Sequence, residues 1–392
     1  MELTLTDDQQ ELRRGARRFL AAESSPDKVD AAMKTERGYD PATWQRICEE
    51  LGWPALTIPE AYEGIGLGPR ELYPLMEEMG RHVACAPFFS TVCLGVNALL
   101  CAGTEAQKQA HLPAIAAGER TATVAYTEPS GRWDASAIKA TATRHGDGYV
   151  LRGHKRYVLD GHSADLLVVA ARAPGSTGEN GVSLFVVPAT TAGVTRTWLP
   201  TMDQTRKQAD VVLDGVRVPA DAVMGEPGAG WAPLARTLAL AVTALAAEQV
   251  GGAEACLELA VEYAKVRKQF GRPIGSFQAI KHKCADMLLL VESARSAALY
   301  ASLLAAEAVE ALGAGGPSAG ASAAFAEAAS SAKAYCSEAY FHCAGESIQI
   351  HGGIGFTWEH PAHLYFKRAR SSQTLLGSPA YHRERVASLM DL

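Results

Sequence analysis

The sequence predicts an α+β chain in three successive parts: an N-terminal all-α domain over residues 1–120, a middle antiparallel β-barrel domain over 121–230, and a C-terminal four-helix bundle over 231–392. Three observations carry this reading. Capped helical periodicity fills the first third, and short β-rich runs between Gly, Asp and Pro turns fill the middle. Long alanine-rich stretches with few breakers fill the rest.

The helical first part shows its starts clearly. Thr6 and Gln9 form a capping box ahead of Leu12, Ala16, Phe19 and Leu20 at helical spacing. Asp40 before Pro41 is an N-cap followed by proline at the first helical position, opening a helix to about Leu51. Thr104 and Gln107 start another that reaches about Ala117, and a glycine-punctuated loop, Ile58–Gly68, lies between them.

In the middle part the runs Thr121–Tyr126, Gly148–Arg152, Leu166–Ala171, Val182–Val187 and Val211–Leu213 read as strands of a compact barrel or sandwich. Beyond Trp231 the spacing predicts helices over about 232–267, 276–312 and 318–350, with a fourth after His360. The stretch Gly313–Ser318 reads as the turn between two of them.

Bulk composition excludes several function classes. A formal charge of −6 argues against a globally basic nucleic-acid footprint, so a polyanionic ligand needs a local cluster of Arg or Lys. The acidic, polar start Met1–Gln10 is the reverse of an export signal, and the longest apolar run, Leu238–Ala247, is far short of the ~20 residues that cross a bilayer. The 8 cysteines are scattered without metal-ligand or redox spacing. The expectation is a cytoplasmic protein with reduced thiols, no metal, no membrane and no nucleic-acid partner.

Two stretches carry specific chemistry. Arg267-Lys-Gln-Phe-Gly-Arg-Pro-Ile-Gly-Ser-Phe-Gln278 offers a permanently charged guanidinium suited to bidentate bonds with phosphate oxygens. Gln349-Ile-His-Gly-Gly-Ile-Gly-Phe356 offers glycines through which backbone N–H groups approach a phosphate closely. Taken singly, the first is a solvated helix-end arginine and the second a helix stop before Pro361.

Taken in order with Leu51–Glu60, Gly64–Gly68, Val218–Asp221 and Gly225–Trp231, these stretches resemble the acyl-CoA dehydrogenase family over essentially the whole chain. The resemblance implies FAD as cofactor. It implies Arg267 on the FAD pyrophosphate of a neighbouring subunit, Phe270 near the adenine, and Gln269 and Gln278 within the same cofactor motif. It places Gln349, Gly352 and Gly353 against the ADP portion across a subunit interface, with His351 packed rather than catalytic. Ala125-Tyr-Thr-Glu-Pro129 resembles the flavin-contacting strand end, which implies Tyr126 and Thr127 at the ring and Tyr157 as the aromatic beside it. The chain departs from the family at Arg132-Trp133-Asp134, where Gly-Ser-Asp is usual, and at Leu159, where a hydroxyl is usual.

The largest departure concerns the base. The family's reaction needs a carboxylate within reach of the α-proton of an acyl thioester. In Lys367–Ser378 the usual glutamate position is Leu376, and the alternative position on the first bundle helix is Ala241. The nearest acid, Glu248, lies seven residues on, nearly the same helix face but ~10 Å along the axis. Glu248 is the catalytic candidate, against the plainer reading of a bundle glutamate paired with Arg or Lys.

Three readings follow from the resemblance: an FAD-dependent α,β-desaturase of an acyl thioester, a base-less FAD-binding subunit of a heteromeric dehydrogenase, or a flavin monooxygenase on the same fold. His360–Phe366 resembles the base-less partner subunits of bacterial steroid side-chain enzymes. An all-α binding module explains the helices but not the flavin-type stretches. The implied partners are acyl-CoA or an acyl-carrier thioester, an electron-transfer flavoprotein, and a like or different dehydrogenase subunit.

Overall fold

The computed structural model describes residues 4–313 and 320–392. Helices α1 (Asp7–Glu23), α2 (Pro26–Met33), α3 (Pro41–Glu49), α4 (Pro69–Arg81), α5 (Asn97–Ala102) and α6 (Glu105–Ala116) come first. Strands follow: β1 (Ala122–Ala125), β2 (Thr141–His145), β3 (Gly148–Leu159), β4 (Leu166–Arg172), β5 (Val182–Pro188), β6 (Val194–Leu199), β7 (Gln208–Val218) and β8 (Val223–Met224). The remainder is α7 (Trp231–Val266), β9 (Lys268–Gln269), β10 (Arg272–Pro273), α8 (Gln278–Gly313), α9 (Gly320–His351), α10 (Ala362–Thr374) and α11 (Pro379–Leu389).

The expected caps are present. Thr6 and Gln9 exchange reciprocal bonds at the start of α1, Thr104 and Gln107 do the same at α6, and Asp40 accepts from Ala42 and Thr43 at α3. The sequence pattern did not disclose α2, α4, or the π-helical turn Phe89–Val96 that runs into α5. In α4 the reason is physical: Leu72, Leu75, Met76 and Met79 do follow helical spacing, but Pro74 sits inside the helix and reads in the sequence as a break.

Contacts divide the chain into two compact units assembled from separated stretches. One holds Ala32–Leu67 and Cys85–Ala241; the other holds residues up to Ala31, Gly68–Ala84 and Val242–Leu392. Helix α7 gives its opening residues to the first and the rest to the second.

The sheet of the first unit runs in the order β6-β7-β3-β2-β4-β5-β8, with β1 added beside β4. Pairing is antiparallel along most of the path, as expected, and differs at β1–β4 and at the single Thr141–Arg172 pairing, which are parallel. β1 reaches β4 only after a hairpin has intervened, and such a crossover permits a parallel neighbour. β4 is buried on both faces, hence its unbroken apolar run, and Leu167, Val169, Phe185, Val187 and Val211 centre the core. β2 and β6 are largely exposed and polar, which is why their sequences do not announce them.

In the second unit α7, α8, α9 and α10 share a core that includes Cys256, Ala260, Met287, Val291, Tyr340 and Cys343. The expected fourth bundle helix is two, α10 and α11, broken where Leu376 and Gly377 take positive φ. Helices α4 and α7 touch backbone to backbone through reciprocal glycines: a Cβ on Gly80 would collide with the carbonyl of Glu248, and one on Gly251 with that of Glu77. Beside this crossing Glu77 and Glu78 are buried and paired with Arg13, Arg17 and Arg295.

Helix α8 is longer and more apolar than any single run in the sequence suggests. By length and composition its stretch Gln278–Ala311 is apolar enough to cross a membrane, with a window hydropathy of 1.4. It packs on α4 and α9 in this unit. Its apolar residues are interleaved with charges, so no single run in the sequence reveals it. The expected Gly313–Ser318 turn lies, beyond Gly313, outside the described residues.

Candidate cofactor site

Helix α7 ends at Val266, and the chain turns directly into the β9–β10 hairpin. Gln269 pairs with Arg272, leaving Phe270 and Gly271 as a two-residue loop with φ of 52° and 77°. Left-handed values at both positions are the signature of a type I′ turn. Glycine adopts this readily; for Phe270 it costs on the order of 1–2 kcal/mol. The ring is nevertheless 91% exposed, touched at its edge by Phe277 at 6.1 Å. Strained backbone holding an aromatic ring in solvent serves nothing in this chain's own packing, and suits a planar group arriving from outside.

Arg267 is fixed through its backbone, donating to Tyr263 at 2.9 Å and accepting from Ile274 at 2.8 Å, with its side chain exposed. Gln269 is exposed with its amide on the Lys268 carbonyl at 2.8 Å, and Gln278, also exposed, opens α8.

Helix α9 stops at His351, where Gly352 takes φ of 65° and the chain continues as the 3-10 turn Gly352–Phe356. Gly353 has ordinary φ, and nothing lies within 4 Å of where its Cβ would stand. No steric demand within the described residues requires glycine there, so its bare backbone fits a group approaching from outside. Below the turn, His351 is buried and its ring stacks between Tyr263 at 4.4 Å and His360 at 4.2 Å. Its Nδ1–H donates to the Ser347 carbonyl at 2.7 Å, and burial lowers its pKa. This stack ties the end of α7 to the end of α9 and so brings the two cofactor stretches onto one support.

The sheet unit presents the second group of expected residues. Thr127 is locked to β3 by two bonds: the Arg156 N–H donates to its carbonyl at 2.9 Å, and its hydroxyl donates to the Arg156 carbonyl at 2.6 Å. β3 then bulges, since Lys155 opposes Val211 while Val158 opposes Ala209. Tyr157 occupies the bulge at φ 62° with its ring exposed. These bonds set Thr127 beside Arg156, the residue before Tyr157 on β3. Tyr126 is buried, and its carbonyl lies 3.4 Å from the Lys155 ammonium.

Sequence reasoning missed the support beneath them. Lys155 is wholly buried and bonds Glu128 at 2.7 Å, while the Glu128 oxygens accept the Lys139 and Ala140 N–H groups, both at 2.9 Å. Burial lowers the Lys155 pKa, and Glu128 opposes that shift. The available signal was alternation: Leu151 and Lys155 share the inward face of β3, and an inward lysine needs a carboxylate. In the substituted loop, Arg132 folds onto Asp134 with two bonds of 2.9 Å.

The base positions hold no acid. Ala241 is fully buried on α7, and Leu376 is buried at φ 59°. Glu248 is 2% exposed and bonded at 2.9 Å to Arg368, itself 2% exposed. Glu248 thus faces a guanidinium of α10. Arg368 was not singled out from sequence, because helical spacing alone does not say which arginine faces an acid on another helix. Among the described residues no cluster of metal-ligating side chains occurs.

The exposed Arg267, the exposed and strained Phe270 and the bare Gly352–Phe356 turn thus share one support in the helical unit, open to a phosphate-bearing aromatic group. Family models for the acyl-CoA dehydrogenase N-terminal, middle and C-terminal domains match residues 6–119, 123–216 and 228–390. The acyl-CoA dehydrogenase IpdE2 of Mycolicibacterium smegmatis is 33% identical, covering 97% of this chain and 98% of its own. The butyryl-CoA dehydrogenase structure from Megasphaera elsdenii aligns over 100% of both chains at 29% identity and a TM-score of 0.90. A chain of the ChsE4-ChsE5 complex from Mycobacterium tuberculosis aligns over 100% of this chain and 99% of that one, at 26% identity and a TM-score of 0.85.

The chain belongs to the acyl-CoA dehydrogenase family, oxidoreductases that desaturate acyl thioesters with FAD. The residues present fit that cofactor at its phosphate and adenine end. Phe270 and Gly353, which the chain's own packing leaves unexplained, are the observations that say so.

Proposed function

We propose that this chain is the FAD-clasping, base-less subunit of an acyl-CoA dehydrogenase, and that a different subunit supplies the carboxylate that removes the α-proton of the acyl thioester. The observation that carries this is Leu376, an apolar, buried residue in a left-handed turn at the family's base position. Ala241 at the alternative position supports it, and the Arg368 ion pair supports reading Glu248 as a bundle anchor. Pairing of two different chains in the ChsE4-ChsE5 complex gives the precedent in fold.

When bound, FAD would supply the acceptor for the hydride of the β-carbon. Arg267 would neutralise pyrophosphate charge, Phe270 would cover the adenine, Gln269 and Gln278 would bond polar edges, and the Gln349–Gly353 turn would bring backbone N–H groups to the ADP portion. Thr127 and Tyr157 form the sheet-side surface suited to the flavin ring. Electrons leave to an electron-transfer flavoprotein, and the assembly works in the cytoplasm.

Anaerobic mixing with a series of acyl-CoAs tests the reading. The FAD-loaded chain alone is expected to keep its flavin absorbance, and the chain co-purified with a glutamate-bearing dehydrogenase subunit is expected to bleach. Rapid bleaching by the chain alone overturns it.

A further inference from the structure

Lys333 on α9 has no solvent exposure and bonds no carboxylate among the described residues. Its ammonium reaches four oxygens: Ser337 Oγ at 2.8 Å and the carbonyls of Ser372 at 3.0 Å, Gln373 at 3.2 Å and Gly377 at 3.1 Å. Two of these carbonyls belong to the last turn of α10, where the helix leaves its carbonyls unsatisfied and its dipole favours a cation. Gln249 reinforces the grip, bonding Ser337 at 3.0 Å and the Ser372 carbonyl at 3.2 Å.

The segment between α10 and α11 is held from its other side as well. His382 Nε2–H donates to the Leu376 carbonyl at 3.0 Å, and a Cβ on Gly377 would come within 2.6 Å of the His382 and Tyr381 rings. The turn from Leu375 to Gly377 is therefore shaped by groups beneath it, while the side chain at 376 makes no polar bond.

We propose that Lys333 is the positioning residue of this segment: by gathering the carbonyls of Ser372, Gln373 and Gly377 it holds Leu376 in its left-handed turn, so that the chain retains the backbone of a carboxylate-bearing site and lacks only the carboxylate. The second half rests on the base-less reading; the first does not.

The titratable surroundings agree with this role. Burial lowers the Lys333 pKa to about 7. Cys336 on the same helix is pushed up to about 12 and stays a neutral thiol. His382 on α11 is held near 3, with Arg385 beyond it, and stays neutral. α10 turns the carbonyls of Ser372 and Gln373 to Lys333, and α7 brings the Gln249 amide beside them. Above pH 7 Lys333 becomes an amine with one donor fewer, and the grip weakens.

Hydrogen exchange on the full-length chain tests the first half. Lys333→Met is expected to speed exchange of the amides of residues 375–378 by about tenfold, the loss of one charge-assisted bond, while α7 and α8 keep their protection. In the wild type that protection, corrected for intrinsic rates, is expected to fall as pH rises through about 7, and in the Met variant to stay flat. Unchanged protection in Lys333→Met, or loss spread evenly over the molecule, overturns the positioning role.

Leu376→Glu tests the second half. With FAD bound, it is expected to bleach anaerobically with an acyl-CoA, and Leu376→Glu/Lys333→Met to do so about tenfold more slowly. A folded, FAD-loaded Leu376→Glu that does not bleach overturns the retained-backbone claim. Bleaching by the wild type would instead defeat the base-less reading and leave exchange to decide Lys333. If Leu376→Glu does not fold, Leu376→Gln crystallised with its turn intact supports the claim, and a rebuilt turn overturns it.

Discussion

Glu248 and Arg368 face each other at 2.9 Å inside the helical unit, each only 2% exposed. A pair this deep stabilises little compared with an apolar core, yet breaking it leaves one charge buried without a counterion. Arg368→Met is therefore expected to cost roughly 3–5 kcal/mol in urea unfolding, with Glu248→Gln/Arg368→Met recovering much of it. Flavin bleaching by the chain co-purified with a glutamate-bearing dehydrogenase subunit is expected to survive Glu248→Gln; its abolition with FAD still bound would make Glu248 the base.

Arg267 is exposed and, among the described residues, bonded only through its backbone, so its loss separates binding from folding. Arg267→Ala is expected to leave stability within about 0.5 kcal/mol and to weaken FAD binding by about tenfold to a hundredfold. Titration of the apo assembly with FAD, followed by flavin fluorescence, reads the second number; an unaltered affinity would remove Arg267 from the site.

Gly353 offers a sharper test, because nothing within 4 Å would meet an added methyl. Gly353→Ala is expected to be neutral or stabilising by about 0.5 kcal/mol through the unfolded chain. FAD affinity is expected to fall all the same. A variant that binds FAD normally would show that the turn does not approach the cofactor.

Lys155→Met would leave Glu128 buried with two backbone N–H partners but no cation. A loss of roughly 3–5 kcal/mol is expected, and Lys155→Met/Glu128→Gln should be milder. Because the pair underlies the Tyr157 bulge, exchange at residues 156–158 should rise before global unfolding. Uniform exchange would assign the pair to general stability alone.

His382 sets an acid limit. Its folded pKa is near 3 against an ordinary 6.5, because burial and Lys333 oppose its charge. Between those values the unfolded chain binds a proton that the folded chain refuses, so stability is complete above pH 6.5 and falls as pH drops toward 3. The full effect is roughly 5 kcal/mol at most. His382→Asn should show a shallower decline in that window than the wild type, measured as thermal midpoint against pH.

Much of the scaffold was legible because its signals are local. Thr6–Gln9, Asp40–Pro41 and Thr104–Gln107 each satisfy helix-end N–H groups within a few residues, and such bonds are readable from spacing. What stayed hidden depends on partners distant in sequence. Pro74 interrupts the apolar stripe of α4, β6 has too little buried surface, and the parallel partner of β1 arrives only later in the chain. The same holds at the site: the Arg267 and Gln349 stretches are contiguous and visible. Glu128–Lys155, Glu248–Arg368 and Lys333 with its carbonyls join residues brought together only by folding.

The reciprocal glycines at the α4–α7 crossing make Gly80 and Gly251 answer to each other. Neither can gain even a methyl while the axes stay in contact, and changing one does nothing to make room at the other. The joint therefore admits no gradual route: sequence drift along both helices is barred at two positions that carry no chemistry. Any descendant of this chain that abandons one glycine must move a whole helix, and with it the carboxylates of Glu77 and Glu248 whose backbones form the contact.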